Sequence, residues 1–222
     1  MSNRSSEQLK NDIVKDIQST LSELWKKGLV RDTQGPSEKK CGSNAYEISF
    51  SGKGDANSIM FDKHASASTV IDRLLVELQY TVLMYDKAII QAEFCVENGE
   101  ISKEKLVFLK KHNRVFDKRE IDTADEMDED WFGNEESIPT ILRIDYDPMN
   151  HIECEHPATH MTLSNNESCR IPIQDVVTFS EFTRFILKHF YGVNLEKKTF
   201  WLNKESTITD MERKMMHVSW DR

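Results

Sequence analysis

"KAIIQAEFCVENGEISKEKLVFLKK", Lys87 to Lys111, is the stretch on which the fold turns. Ile90, Ala92, Phe94 and Val96 occupy alternate positions, so a strand would carry them on one face and Gln91, Glu93 and Cys95 on the other. Asn98-Gly99 follows directly, and both residues accept the positive φ of a type I′ turn. The pattern predicts a β-hairpin. A helix over Lys103 to Arg114 is the competing reading of its second arm.

Upstream, "TVIDRLLVELQYTVLMY" keeps helical period through Val70, Ile71, Leu74, Leu75, Leu78, Val82 and Leu83, with Ser66 or Ser68 as its cap. "NAYEISFSG" alternates Tyr46, Ile48 and Phe50 as a strand, and Gly52 to Asn57 reads as a turn into "SIMF". "RDTQGPSEKKCG" reads as a turn-rich linker. Before it, residues 6–27 form an amphipathic helix whose stripe is Ile13, Val14, Ile17, Leu21, Leu24 and Trp25, ended by Gly28.

Downstream, Leu142, Ile144 and Tyr146 of "IPTILRIDYDP" alternate with Arg143, Asp145 and Asp147, a strand stopped by Pro148. "ATHMTLS" and "SCRIPIQ" read as a strand pair joined by "NNES". "TFSEFTRFILKHFYG" carries a capping box from Thr178 to Glu181 and a terminal Gly192, with Phe182, Phe185, Ile186, Phe190 and Tyr191 set to pack on a sheet. The tail from Leu195 reads as a short strand or loop followed by a C-terminal helix. Hairpins replace regular βαβ alternation. The fold class is therefore α+β, a mostly antiparallel sheet packed by two or three amphipathic helices. It is read as a single domain over residues 1–222, with the N-terminal helix within residues 1–30 and an acidic loop at 117–137.

The 222 residues suffice for a sizeable core, and the formal net charge of −9 argues against a broad face for duplex DNA while leaving room for a pocket that handles one phosphate or a short RNA. The acidic run from Asp122 to Glu136 reads as a solvated loop, or as an arm that anchors on a basic partner through Trp131 and Phe132. No apolar run reaches membrane-spanning length and no secretory h-region is visible, so the expected location is the cytoplasm. Cys41, Cys95, Cys154 and Cys169 are scattered, which fits reduced thiols rather than a zinc site. No phosphate-loop, dinucleotide or nucleophile-elbow motif is present, and the sequence leaves any cofactor unknown.

One stretch stands apart from scaffold: "RIDYDPMNHIECEHPATHMTLS", Arg143 to Ser164. Three readings remain open. His156 and His160, with His151 and Asp145 or Asp147, are ligand types for a divalent metal, but Pro157 disfavours the helix that such spacing usually needs. Alternatively, His160 is a general acid or base oriented by an aspartate while Arg143 and Arg170 hold a phosphate. Or the cluster is a structural network of cross-strand pairs. Metal ligands are not assigned; Asp145, His156 and His160 are the candidate catalytic residues, and Arg143 and Arg170 the candidate substrate-binding ones. His64 before a helix, His189 at a helix C-terminus, and Cys154 and Cys169 beside the cluster are weaker candidates.

Residues Val70 to Tyr191 resemble an uncharacterised bacterial domain family. The shared core is R-x-D-[FY]-D, H-P-x-[ST]-H, R-I-P and a Phe-rich helix ending in Phe-Tyr. Here these stand as Arg143 to Asp147, His156 to His160, Arg170 to Pro172 and Phe179 to Tyr191. The resemblance implies mobile bacterial gene neighbourhoods, where anti-phage defence and toxin–antitoxin genes are common. The expected function is an effector acting on RNA or another phosphodiester, as a phosphodiesterase or ribonuclease. The alternative is a non-enzymatic interaction subunit of such a complex, docking a protein encoded nearby or a second copy through the N-terminal helix.

Overall fold

The computed structural model describes residues 4–51, 67–111, 139–163, 169–196 and 206–219. The acidic loop with Trp131 and Phe132, His64, Ser66, the side chain of Ser68, the turn from Gly52 into "SIMF" and the "NNES" turn lie outside the described residues.

The hairpin forms as β5 (Ile89–Glu97) and β6 (Glu100–Lys110), turned by Asn98 at φ 52° and Gly99 at φ 84°. β6 is strand to Lys110, so the helical reading of its second arm fails over the described residues. Its residues alternate between two buried faces, which a strand can satisfy and a single-stripe helix cannot. β7 (Thr140–Tyr146), β8 (Thr159–Leu163) and β9 (Arg170–Pro172) extend the sheet outward from β6, each antiparallel to its neighbour. The other edge of β5 is shared: β3 (Ala45–Phe50) pairs with its second half and β4 (Val82–Met84) with its first. β2 (Pro36–Lys40) pairs with β3, and β1 (Val30–Thr33) pairs with β4, completing a sheet of nine strands among the described residues.

Three helices of the described residues cover this sheet. α1 (Ser6–Lys26) and α3 (Phe179–Tyr191) share one core with Ala92, Phe94, Leu106, Phe108, Leu142 and Ile144. α2 (Ala67–Val76) covers part of the opposite face, over Ile89, Val107, Leu109 and Ile141. The α3 capping box holds as expected, and Asp16 of α1 adds a second cap by accepting the Ser180 N–H at 3.1 Å. Phe190 lies 4.8 Å from Phe108, ring to ring, which fixes α3 on the sheet. No helix among the described residues is long and apolar enough to cross a membrane.

Four expectations need correction. The linker after α1 is largely strand, β1 and β2, because "VRDT" and "PSEKK" complete the ladders of β4 and β3 despite their polarity. The second helix ends at Val76 rather than Tyr85. Leu78 enters the left-handed region at φ 53°, its N–H bonds the Leu75 carbonyl and the Gln79 N–H bonds that of Leu74. This is a Schellman closure built without glycine, which the sequence does not announce. Trp25 is 47% exposed, and its indole N–H donates to Thr33 Oγ1 at 3.2 Å. The rest of the stripe, joined by Leu9, is buried in the chain's own core, each residue contributing about 1.5–3 kcal/mol. In the described part of the tail, a short 3-10 turn (Glu212–Lys214) stands in place of a helix.

The hairpin tip is also the seat of α1. The Gly99 N–H donates to Ser6 Oγ at 2.8 Å, and a Cβ on Gly99 would meet the Arg4 carbonyl oxygen at 2.2 Å. Gly35 has open space around its Cβ position. Gly99→Ala is expected to lower stability by about 2 kcal/mol or more, through left-handed strain plus the backbone clash, while Gly35→Ala stays within about 0.5 kcal/mol of wild type. Urea midpoints measure both; equal midpoints would contradict the assignment of the tip.

Candidate functional site

The sheet face opposite α1 and α3 changes character along the strands. Beneath α2 it is apolar; beyond α2 it carries two polar rows. Register sets Glu93 opposite Lys105, Lys105 opposite Asp145, and Asp145 opposite His160. The adjacent row runs Gln91, Val107, Arg143, Thr162 and Arg170 across five strands. Arg143, Asp145, His160 and Arg170 therefore share one face, as the alternation in β7 and β8 predicts.

Arg143 Nε lies 2.5 Å from Asp145 Oδ2, and these side chains are only 13% and 18% exposed. His160 is 2% exposed. Its Nδ1 is 2.9 Å from the Pro157 carbonyl oxygen, which assigns the proton to Nδ1 and leaves Nε2 as the free base, 3.8 Å from Asp145 Oδ2. Pro157 thus turns the chain into β8 and fixes the tautomer three residues later. Burial pushes the His160 pKa below its ordinary value, with the positive charge of Arg170 and the neighbouring His156 acting in the same direction. The Pro157 hydrogen bond and Asp145 oppose that shift without reversing it. The His156 ring packs edge-on against His160 with centroids 4.7 Å apart. The candidate catalytic and substrate-binding residues named from sequence are thereby gathered into one cluster.

Three buried polar atoms border this cluster without a hydrogen-bond partner among the described residues: His156 Nδ1, Thr162 Oγ1 and Arg170 Nε. A buried donor or acceptor left unsatisfied costs about 1–3 kcal/mol. The three together outweigh the gain from any single cross-strand pair, about 0.2–1 kcal/mol. An oxygen-rich anion at this spot would satisfy the arginine and hydroxyl donors at once.

Other residues of the stretch are committed elsewhere. His151 is held by a buried carboxylate, Glu212 Oε1 at 3.1 Å from its Nε2, which removes it from any ligand set with His156. Glu212 also accepts the Cys154 and Thr209 N–H groups, tying the 148–156 loop to the tail; these bonds and His151 draw its pKa down despite the opposing effect of burial. Cys154 turns at φ 64°, and its thiol pKa is raised by burial and nearby carboxylates, which makes it a poor nucleophile. Asp147 accepts from Asn150 Nδ2 at 2.9 Å. Among the described residues no group of three or more His, Cys, Asp or Glu is placed to hold a metal ion. Lys105, Glu93, Thr162 and Glu212 are partners that sequence reasoning missed. Alternation within β5 was the available signal for Glu93, whereas Lys105 meets it only through the shifted register of β6.

His160 makes stability depend on pH. In the unfolded chain its imidazole titrates near 6.5, and in the fold it titrates lower. Between those values the unfolded state binds the extra proton, so stability is complete above the unfolded value and is lost as pH falls through it. The wild-type Tm is expected to drop more than that of His160→Gln between about pH 7.5 and about pH 5.5, the range spanning an ordinary imidazole titration. Parallel drops measured by calorimetry would contradict a buried neutral His160.

Comparison with known proteins adds the family and no activity. No curated protein and no solved structure matches the chain. Residues 29–220 match the family described as "Uncharacterized conserved protein (DUF2290)", a span that contains both polar rows and the whole sheet. The chain belongs to the DUF2290 family.

Proposed function

We propose that the polar face acts on a phosphodiester, with RNA as the substrate class and no metal in the reaction. The observation that carries this reading is the unpartnered, buried Arg170 Nε and Thr162 Oγ1 beside a neutral histidine. Arg143 and Asp145 neutralise one another, so Arg170 supplies the uncompensated positive charge that a bridging phosphate requires. In the step this supports, His160 Nε2 takes the proton of a ribose 2′-hydroxyl. The freed oxygen attacks phosphorus, and the 5′-oxygen leaves with a proton donated by His156, giving a 2′,3′-cyclic phosphate and a 5′-hydroxyl. Asp145, held in place by Arg143, stabilises the imidazolium formed on His160, while Arg170 holds the charge that builds on the phosphoryl oxygens. The bacterial defence setting rests on the motif resemblance alone.

A second reading, in which the rows are scaffold for an interaction subunit, is favoured by one observation. His160 is 2% exposed with the His156 ring edge-on against it, so a substrate reaches Nε2 only if neighbouring side chains move. RNA digestion separates the two. The purified protein is expected to cleave mixed-sequence RNA in the presence of chelator, leaving cyclic phosphate ends. His156→Asn and Arg170→Ala are expected to slow it by about 100-fold or more without lowering Tm. If wild type leaves RNA intact while Asp145→Asn and His160→Gln melt lower, the rows are scaffold.

A further inference from the structure

A groove of about 270 Å³ lies on the outer side of α3, far from the polar rows because α3 packs on the opposite face of the sheet. Its lining includes Arg184, Phe185, Lys188 and His189 from the helix, with Leu195 and Val218 closing it from the tail. Both walls are fixed by backbone bonds. Gly192 turns the chain at φ 65°, and the Val193 N–H returns to the Leu187 carbonyl at 3.0 Å. Val218 is held on the sheet side by its N–H to the Pro172 carbonyl and its carbonyl from the Gln174 N–H, each at 2.9 Å.

The chemistry of the lining is mixed in a particular way. Arg184 and Lys188 stand one helical turn apart, and neither has a hydrogen bond or ion pair among the described residues. Phe185 and His189 also stand one turn apart, with ring centroids 4.7 Å apart and planes tilted by 49°, an aromatic pair beside the cations. The carboxylate of Glu181, which also lines the groove, is turned to the helix N-terminus, where it accepts the Thr178 N–H and hydroxyl at 2.9 Å. On a chain of formal net charge −9, a groove whose free charges are cationic is a local inversion of sign. Helix-dipole compensation accounts for Lys188 and His189 in the last turn, but not for Arg184 nor for the aromatic pair.

We propose that this groove binds a small organic phosphate of mononucleotide size. The phosphate group sits between Arg184 and Lys188, and the base packs against one ring of the tilted Phe185–His189 pair. The cavity volume is at the small end of ligand sites, which fits one nucleotide rather than a strand. The binding does not depend on the phosphodiester reading of the polar face.

Isothermal titration of the full chain at low ionic strength tests this, with adenosine monophosphate, adenosine and inorganic phosphate as probes. Saturable one-to-one binding of the nucleotide is expected, tighter than either fragment. The doubly substituted Arg184→Ala/Lys188→Ala chain is expected to bind about tenfold or more weakly with an unchanged Tm, since both side chains lie on the outer face of the helix. The His156→Asn/Arg170→Ala chain is expected to bind as wild type does. Absence of saturable binding, equal affinity in the groove variant, or loss in the polar-face variant instead would each overturn the assignment. Inorganic phosphate binding as tightly as the nucleotide would likewise overturn it.

Discussion

Asn98 and Gly99 reverse the chain with positive φ at both positions, and three residues later the pairing slips. Glu97 pairs with Glu100 and Val96 with Ile101, but Cys95 pairs with Lys103, so Ser102 is the extra residue of a β-bulge. Every pairing beyond it depends on that slip. Without it, Glu93 would face Glu104, a like-charge pair, and the parity of β6 would be exchanged relative to β5. With it, Leu106 and Phe108 join Ala92 and Phe94 under α1 and α3, while Lys105 falls between Glu93 and Asp145. Glu104, sent to the other face, accepts the Val177 N–H at 3.3 Å just ahead of α3.

The two faces of the sheet then answer to different physics. One buries aliphatic and aromatic side chains against two helices, and burial of apolar area suffices to explain it. The other starts as a core under α2 and continues as Glu93, Lys105, Asp145 and His160, with Lys105 only 8% exposed. Burying charged groups costs several kcal/mol per ion, and apolar side chains of similar size would generally be no less stable. Neutral His160 is the compromise that keeps an imidazole there at ordinary pH. On the same face the side-chain atoms Thr162 Oγ1 and Arg170 Nε are buried without a hydrogen-bond partner among the described residues.

Much of this was legible in the sequence where the signal is local and periodic. The Asn98-Gly99 turn, the Ser6–Lys26 helix, the alternation in β3 and β7, and the cap at Thr178 with its Gly192 stop all describe residues that interact with near neighbours. The faces of Arg143, Asp145, His160 and Arg170 were legible too, but their gathering depends on the strand order β7-β8-β9, which alternation does not carry. What escaped depends on distance or on an exception. β1 and β2 are polar strands whose partners lie in later or neighbouring elements. The end of α2 uses Leu78 where glycine is the usual mark. Lys105 and Glu93 joined the rows through a bulge that pairing from the turn would have missed. His151 found Glu212, some sixty residues on, so its proximity in sequence to His156 was misleading.

The chemistry of the polar face depends most directly on the state of His160, and nitrogen-resolved NMR of its imidazole reads that state. The prediction is a neutral ring protonated at Nδ1, with a titration midpoint below the ordinary value of 6.5 and a shift of the His160 and His156 resonances when a dinucleotide phosphate is added. A midpoint at or above 6.5, an Nε2 tautomer, or resonances indifferent to the dinucleotide would contradict it.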